Sequence, residues 1–311
     1  RTLGLDLFLG LGTSSKYYIE SGQGYYDITP LRETTAAGGA TFARVGVGDA
    51  TLTVADPSHG AFAGDFVTFS GAASLGADIT AAILNQEYQI DTIVDSNSYK
   101  IKARAVATVD SITVDGVYTP TLITAASGDS GNGGGSIVAA YQVSTGLNSS
   151  VFGTGWGAGT WGRNTWGSAA SLTLTDLLRI WTHDNFGEDL IINVRDGDIY
   201  LWDASAAQAL STRATSLAAR AAAAGLTGAP TVATKVIVSD VDRHVIVFGA
   251  DPLTDIGTQD PLLIRFSDQE NAIDWTPTTT NTAGDLALGS GSKIETAVET
   301  RQQILVFTDI S

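Results

Sequence analysis

The chain has 311 residues, 43% of them hydrophobic and only 16% charged, and 17 basic against 33 acidic side chains leave a formal net charge of −16. So much apolar material excludes global disorder, and no apolar run reaches the roughly 18 residues of a membrane helix. The acidity argues against a protein that grips phosphates, and the absence of cysteine excludes a disulfide framework, a thiolate metal site and a thiol nucleophile. Methionine is absent too, initiator included, so the chain reads as a segment of a longer product. The opening LGLDLFLGLG (3–12) has no basic flank beyond Arg1 and no small-residue cleavage pattern, which argues against a signal peptide.

Thirty-five glycines punctuate short runs rich in Val, Ile, Thr and aromatics, the composition of an all-β protein. In chain order, strands are predicted over 16–21, 24–31, 50–56, 65–71, 87–95 and 99–106, then over 190–203, 235–251, 262–268, 293–299 and 302–309. Two hairpins stand out. One pairs 191–194 with 199–202 around RDGD (195–198), whose Asp-Gly is a strong turn signal, and the other pairs 236–238 with 245–248. Helix is predicted in two places: a short piece at 172–180, and ASAAQALSTRATSLAARAAAA (204–224), Ala-rich and stopped by Gly225.

Between the two strand-rich parts, TAASGDSGNGGGS (124–136) reads as a flexible loop or linker. FGTGWGAGTWGRNTWG (152–167) follows, with Trp156, Trp161 and Trp166 at five-residue intervals and glycines around each. Five is neither a helical nor a strand period. The indoles are expected to wedge into a groove as packing or assembly anchors, with stacking on sugars as the alternative.

Catalytic signatures are missing. His59, His183 and His244 show no HxH, HxxxH or HExxH spacing, and THDNFGED (182–189) lacks the regular DxDxDG pattern of a calcium loop, so it reads as a solvated turn. GTGWGAG (153–159) has glycines without the flanking strand and helix of a phosphate loop. The expectation is a protein that is not an enzyme, with no cofactor, metal or catalytic residue.

In the second half, strand units ending in Asp recur: IYLWDA (199–204), VIVFGAD (245–251), LLIRFSD (262–268) and ILVFTD (304–309). Units at roughly 45–60-residue spacing with several strands each are the pattern of β-propeller blades. The last unit stops directly after a strand. A propeller broken open there would expose a strand edge, so further blade strands are expected downstream or a neighbouring chain over the edge.

The run 262–309 resembles the blades of tail nozzle and packaged-DNA stabilisation proteins of short-tailed bacteriophages. The resemblance rests on IRFSDQE (264–270), WTP (275–277), GSKI (291–294) and LVFTD (305–309), and YYIESGQGYYDITPLRETT (17–35) resembles the lead-in strands of such proteins. SHGAFAGDFVTFSGA (58–72), LNQEYQI (84–90) and SNSYKIKA (96–103) resemble the small β-barrel inserts of phage tail and baseplate chains. These are turn and packing signatures rather than chemistry, and Trp275 joins the three clustered tryptophans as an assembly or packing candidate.

The organisation expected is therefore lead-in strands at 1–35, a small inserted antiparallel β-barrel domain at 36–123, a Gly/Ser/Trp-rich linker and loop at 124–170, and propeller-like blades at 171–311. The resemblance implies a structural virion tail protein, a homohexameric nozzle or hub ring that continues the DNA channel. Its expected partners are adaptor or portal-side ring proteins, tail fibre or needle proteins, DNA passing through the lumen without specific binding, and indirectly the host surface. Arg163, Arg179, Arg195, Arg213, Arg220, Lys235 and Arg243 are expected to serve mainly in ion pairs between subunits. The alternatives are a sugar-binding or depolymerising receptor-binding tail protein and a bacterial surface adhesin fragment.

Overall fold

The computed structural model describes residues 2–3, 8–13, 15–106, 121–144, 180–206, 209–301 and 303–309. The chain forms two compact units, one made of Arg1–Pro30 with Gly146–Ser311, the other of Leu31–Thr145 inserted between them. The fold is all-β and antiparallel.

The larger unit opens with β1 (Thr2–Leu3), β2 (Phe8–Gly12), β3 (Tyr17–Ser21) and β4 (Gly24–Asp27), a meander in the order β1-β2-β3-β4. The inserted unit follows. It contains β5 (Leu31–Thr34), β6 (Thr41–Arg44), β7 (Thr51–Ala55), β8 (Phe66–Ser70), the single-turn helix α1 (Ala81–Leu84), β9 (Glu87–Gln89), β10 (Thr92–Asp95), β11 (Ser98–Lys102) and β12 (Val138–Gln142). Two four-stranded sheets, β10-β11-β7-β6 and β5-β12-β8-β9, enclose one core. Phe42, Leu52, Val54, Tyr99 and Ile101 of the first sheet meet Val67, Phe69, Tyr88, Ala139 and Tyr141 of the second. Among the described residues no ladder joins the two sheets, which face each other as two layers and not as the closed barrel expected from sequence.

Of the two readings of 124–136, loop or linker, the structure shows a loop. It runs into β12 and belongs to the inserted unit. Asp129, fully buried, accepts the amides of Ala126, Asp78 and Ile79 at 2.8, 3.1 and 3.2 Å. Burial alone would raise this carboxyl, but those amides outweigh it and hold it below the usual carboxylate range. The glycines have a steric reason: Gly133 sits at φ +85°, and a Cβ there would lie 2.7 Å from the Phe42 ring. Composition suggested flexibility where the chain uses small residues for close approach.

Returning to the larger unit, β13 (Trp181–Phe186), β14 (Asp189–Val194), β15 (Ile199–Trp202) and β16 (Thr215–Ser216) form a meander in sequence order. After α2 (Leu217–Ala223), β17 (Lys235–Val238), β18 (Val245–Phe248), β19 (Leu263–Phe266) and β20 (Gly284–Ala287) form another. A hairpin of β21 (Ile294–Glu299) and β22 (Ile304–Thr308) starts a third repeat. Four strands in simple up-and-down order are the topology of a propeller blade. Both hairpins read from sequence form in these sheets, with Ile191 opposite Leu201 and Val236 opposite Val247.

Successive sheets face one another through apolar layers. Ile191, Ile199 and Leu201 of one sheet share a core with Val236, Val238, Val245 and Val247 of the next. Ile237, Phe248 and Ile264 on the opposite face meet Ile294 and Ala297 of the hairpin. Burial on both faces explains why β17 and β18 read as KVIV and VIVF, without alternation of polar residues.

Two readings of the second half are corrected. THDNFGED is not a solvated turn: Thr182 to Phe186 lie within β13 and only Gly187 and Glu188 make the turn. The helix expected over 204–224 is limited to Leu217–Ala223, preceded by a 3-10 turn at Ala209–Ser211 and by β16. Leu217 and Ala221 tie it to the blade core. Gly225 does end it, at φ +78°, with its amide reaching the Ala222 carbonyl and the Leu226 amide reaching Ala221. The other predicted helix, 172–180, lies outside the described residues except for Ile180, which is not helical.

Asp129→Ala would leave three amide donors of the inserted unit without their acceptor. The expected cost is about 3 kcal/mol or more, read as a lowered denaturation midpoint in urea. A midpoint within error of the parent would show that the loop does not depend on this carboxylate.

Candidate functional site

In a blade meander the first strand is an edge strand, and its outward amides need acceptors that a ladder does not supply. Lys235, Ile237 and Ser239 face β18, as the Ser239 amide shows by reaching the His244 carbonyl. The alternate amides of Val236, Val238 and Asp240 point away from the sheet. Each meets a side chain of a neighbouring repeat. Val236 donates to Thr182 Oγ1 at 3.3 Å, Val238 to Asp184 Oδ2 at 2.9 Å and Asp240 to Glu299 Oε1 at 2.9 Å. Thr182 and Asp184 come from β13, and Glu299 from β21.

Residue numbers rise together along these contacts and along Lys235–Thr296, so β13, β17 and β21 run parallel as the inner strands of successive blades. A cleft of about 480 Å³ lies along them, lined by Trp181 to Asp184, Lys235 to Ile237 and Ala297 to Glu299. Its volume falls in the usual range of small-ligand sites, about 300–1,000 Å³. Trp181 is fixed by donating its Nε1–H to the Thr13 carbonyl at 2.7 Å and by an edge contact with Tyr17, ring centroids 5.4 Å apart. His183 stands against the same tyrosine at 5.7 Å. Lys235 donates to Thr296 Oγ1 at 3.1 Å, and burial holds its ammonium below the ordinary lysine value.

Trp275 is 1% exposed and serves the blade interior. Its Nε1–H donates to the Ala272 carbonyl at 2.8 Å, and the Arg265 guanidinium lies 5.9 Å from its ring centroid. Arg265, itself 2% exposed, donates to the carbonyls of Asp251, at 3.1 Å, and Gly228, and stands 3.9 Å from the Asp251 carboxylate. That carboxylate accepts from Thr231 Oγ1 at 2.7 Å and from the Gly257 amide at 2.8 Å. Ser267 Oγ takes the Val245 amide at 3.0 Å, and Asp268 takes the amide and hydroxyl of Thr282, both at 2.8 Å. Trp156, Trp161 and Trp166 lie outside the described residues.

Four of the basic residues form ion pairs within the chain. Arg195 pairs with Glu295 at 2.9 Å, Arg213 with Asp27 at 2.6 Å, Arg220 with Asp203 at 3.1 Å and Arg243 with Glu270 at 3.9 Å. Arg163 and Arg179 lie outside the described residues. In the inserted unit His59 is a turn lock: its Nδ1 accepts the Ala61 amide at 3.1 Å, so its Nε2–H donates to the Asp95 carbonyl at 3.0 Å. Among the described residues no three His, Asp or Glu side chains converge as metal ligands.

No family model and no curated protein matches the chain. Among solved structures it is similar to the phage phi92 endosialidase, at 12% identity and a TM-score of 0.23, over 98% of this chain and 42% of that one. The chain thus spans less than half the length of that protein.

Sequence reasoning missed the inner-strand acceptors. Alternating Thr182 and Asp184 in a β-forming segment was the available signal, hidden by the acidic look of THDNFGED. Asp184→Ala is expected to strip the Val238 and Asn185 amides of their acceptor and lower stability by about 2 kcal/mol, with Asp184→Asn recovering part of it. Equal losses in both variants would make charge, not acceptance, the determinant.

Asp198 offers a pH test. Burial, with the Asp251 charge adding to it, pushes its carboxyl up to about 6 against the opposing Ser216 hydroxyl and Ile199 amide. A native value above the unfolded one costs stability as pH rises from about 4 through about 6, so Asp198→Asn should stabilise above that window by roughly 2 kcal/mol and change little below it. Urea midpoints at pH 4 and pH 7.5 check this. A variant destabilised at pH 7.5 would refute it.

Proposed function

We propose that this chain is a structural component of a bacteriophage tail, a subunit of the nozzle or hub ring that continues the DNA channel. The observation that carries the reading is the use made of the residues that resemble such proteins. Arg265, Ser267, Asp268 and Trp275 fasten the blade from within, and Asp309 holds the Ser292 amide at 2.8 Å across the β21–β22 hairpin. Residues committed to rigid, repeated sheets suit a protein that works by assembly. In a ring, each copy's exposed edges are covered by the next without growth into a filament.

The formal charge of −16 per chain fits a wall that lets DNA slide. Every lysine–phosphate contact would have to break as DNA moves, so retention falls to a physical gate. A second reading, a receptor-binding tail protein that holds a host saccharide, is favoured by one observation, the cleft where three blades meet with Trp181 at its wall.

Particle symmetry separates the two. Light scattering and electron microscopy of the purified protein are expected to show a sixfold ring. A threefold fibre would favour the receptor-binding reading, and a stable monomer at high concentration would count against both forms of assembly.

A further inference from the structure

The larger unit stacks its sheets in series and leaves one sheet face uncovered at each end. Tyr17 and Ile19, both fully buried, turn one face of the β1–β4 sheet onto β13, where Tyr17 meets Trp181 and His183. The sheet of β13 packs in turn on the sheet of β17, and that one on the β21–β22 hairpin. Side chains alternate along a strand, so the residues between the buried ones point outward at the two ends.

At the first end Leu9, Glu20 and Tyr25 lie side by side across β2, β3 and β4, with Leu9 39% and Tyr25 68% exposed. At the other end Ala297 and Val306 face the core, while Val298, paired with Leu305, turns outward together with Phe307. Those three are 45–48% exposed. A lone exposed apolar side chain is ordinary, but neighbours across a strand pair make a contact surface.

Charge distinguishes the ends. The Glu20 carboxylate takes the Gln23 amide at 2.9 Å and has no cation partner among the described residues. Arg301, exposed at the tip of the β21–β22 hairpin, has no carboxylate partner among them either. Joining like ends would bring two carboxylates or two guanidinium groups together, whereas joining unlike ends brings one to the other.

We propose that the two ends bind each other between copies of this chain. The outward face of the β1–β4 sheet in one copy seats on the outward face of the β21–β22 hairpin in the next. The contact continues the face-to-face stacking that already joins successive sheets within the chain. Because the two surfaces differ, it is a head-to-tail contact, which closes into a ring or runs on as a filament. The proposal deepens the ring reading and rests on it for taking the partner to be a second copy.

The test is sedimentation velocity on the full chain, with circular dichroism and urea midpoints showing that each variant is folded. Tyr25→Asp and Leu305→Asp are each expected to be monomeric at concentrations where the wild type assembles beyond a dimer. Mixed together, they should form a one-to-one dimer and nothing larger, since one intact face remains on each. Val47→Asp, at an exposed apolar position of the inserted unit, should assemble as the wild type does. Arg301→Glu should weaken association at least about tenfold, and adding Glu20→Arg in the same chain should restore it, a readout that stands even if an apolar variant does not fold. Loss of assembly in only one of the two aspartate variants, a mixture that stays monomeric, or a wild type that never associates would overturn the proposal. A sixfold ring that both variants still form would overturn this contact and leave the ring reading standing. A one-to-one dimer from the mixture, with filaments from the wild type, would uphold the contact and remove the ring.

Discussion

The blades depend on how an edge strand is satisfied without another strand beside it. The inner strand β17 and the turn after it point three alternate amides away from their own sheet, and among the described residues only single backbone bonds, such as Ala233 N–H to the Gly197 carbonyl, cross to a neighbouring repeat. Thr182, Asp184 and Glu299 supply the acceptors, two from the preceding repeat and one from the following. The spacing of two along β13 matches the spacing of two along β17, so one alternation serves two purposes. It places acceptors on a neighbour's edge and keeps Trp181 and His183 beside Tyr17. Apolar layers then fill the space between sheets, and their burial supplies the bulk of the cohesion.

A second set of fasteners works at the blade corners. The buried guanidinium of Arg265 gathers carbonyls from two separate loops, and Asp251 gathers donors from two more places, so loops distant in sequence are fixed to one point. A lysine could not do this, because a point charge lacks the planar fork that reaches several carbonyls at once. The short signatures in this part of the chain are therefore architectural.

Much of this was legible in the sequence, and the failures have physical causes. The hairpins at 191–202 and 236–248 announce themselves through β-branched runs and turn residues, because their pairing is local. The linker reading of 124–136 failed because composition cannot tell glycine used for flexibility from Gly133 used for close approach to Phe42. The long helix failed because alanine's intrinsic preference is weak against tertiary demands: Thr215 and Ser216 pair with β15 and leave only seven residues to α2. The cleft was illegible for a different reason. Its lining comes from strands more than fifty residues apart.

The side-chain seal of β17 has a mechanical consequence. Within each sheet, load along the strands is shared by a row of backbone bonds that must yield together. Between sheets, the grip consists of isolated contacts laid over a greasy layer, the carboxylates and hydroxyls along β17, the Arg195–Glu295 pair and single backbone bonds such as Ala233 N–H to the Gly197 carbonyl, which can slip one at a time. Pulled along the strand direction, this protein should behave like stiff plates with lubricated faces, yielding first by sliding between blades and only later by tearing within them.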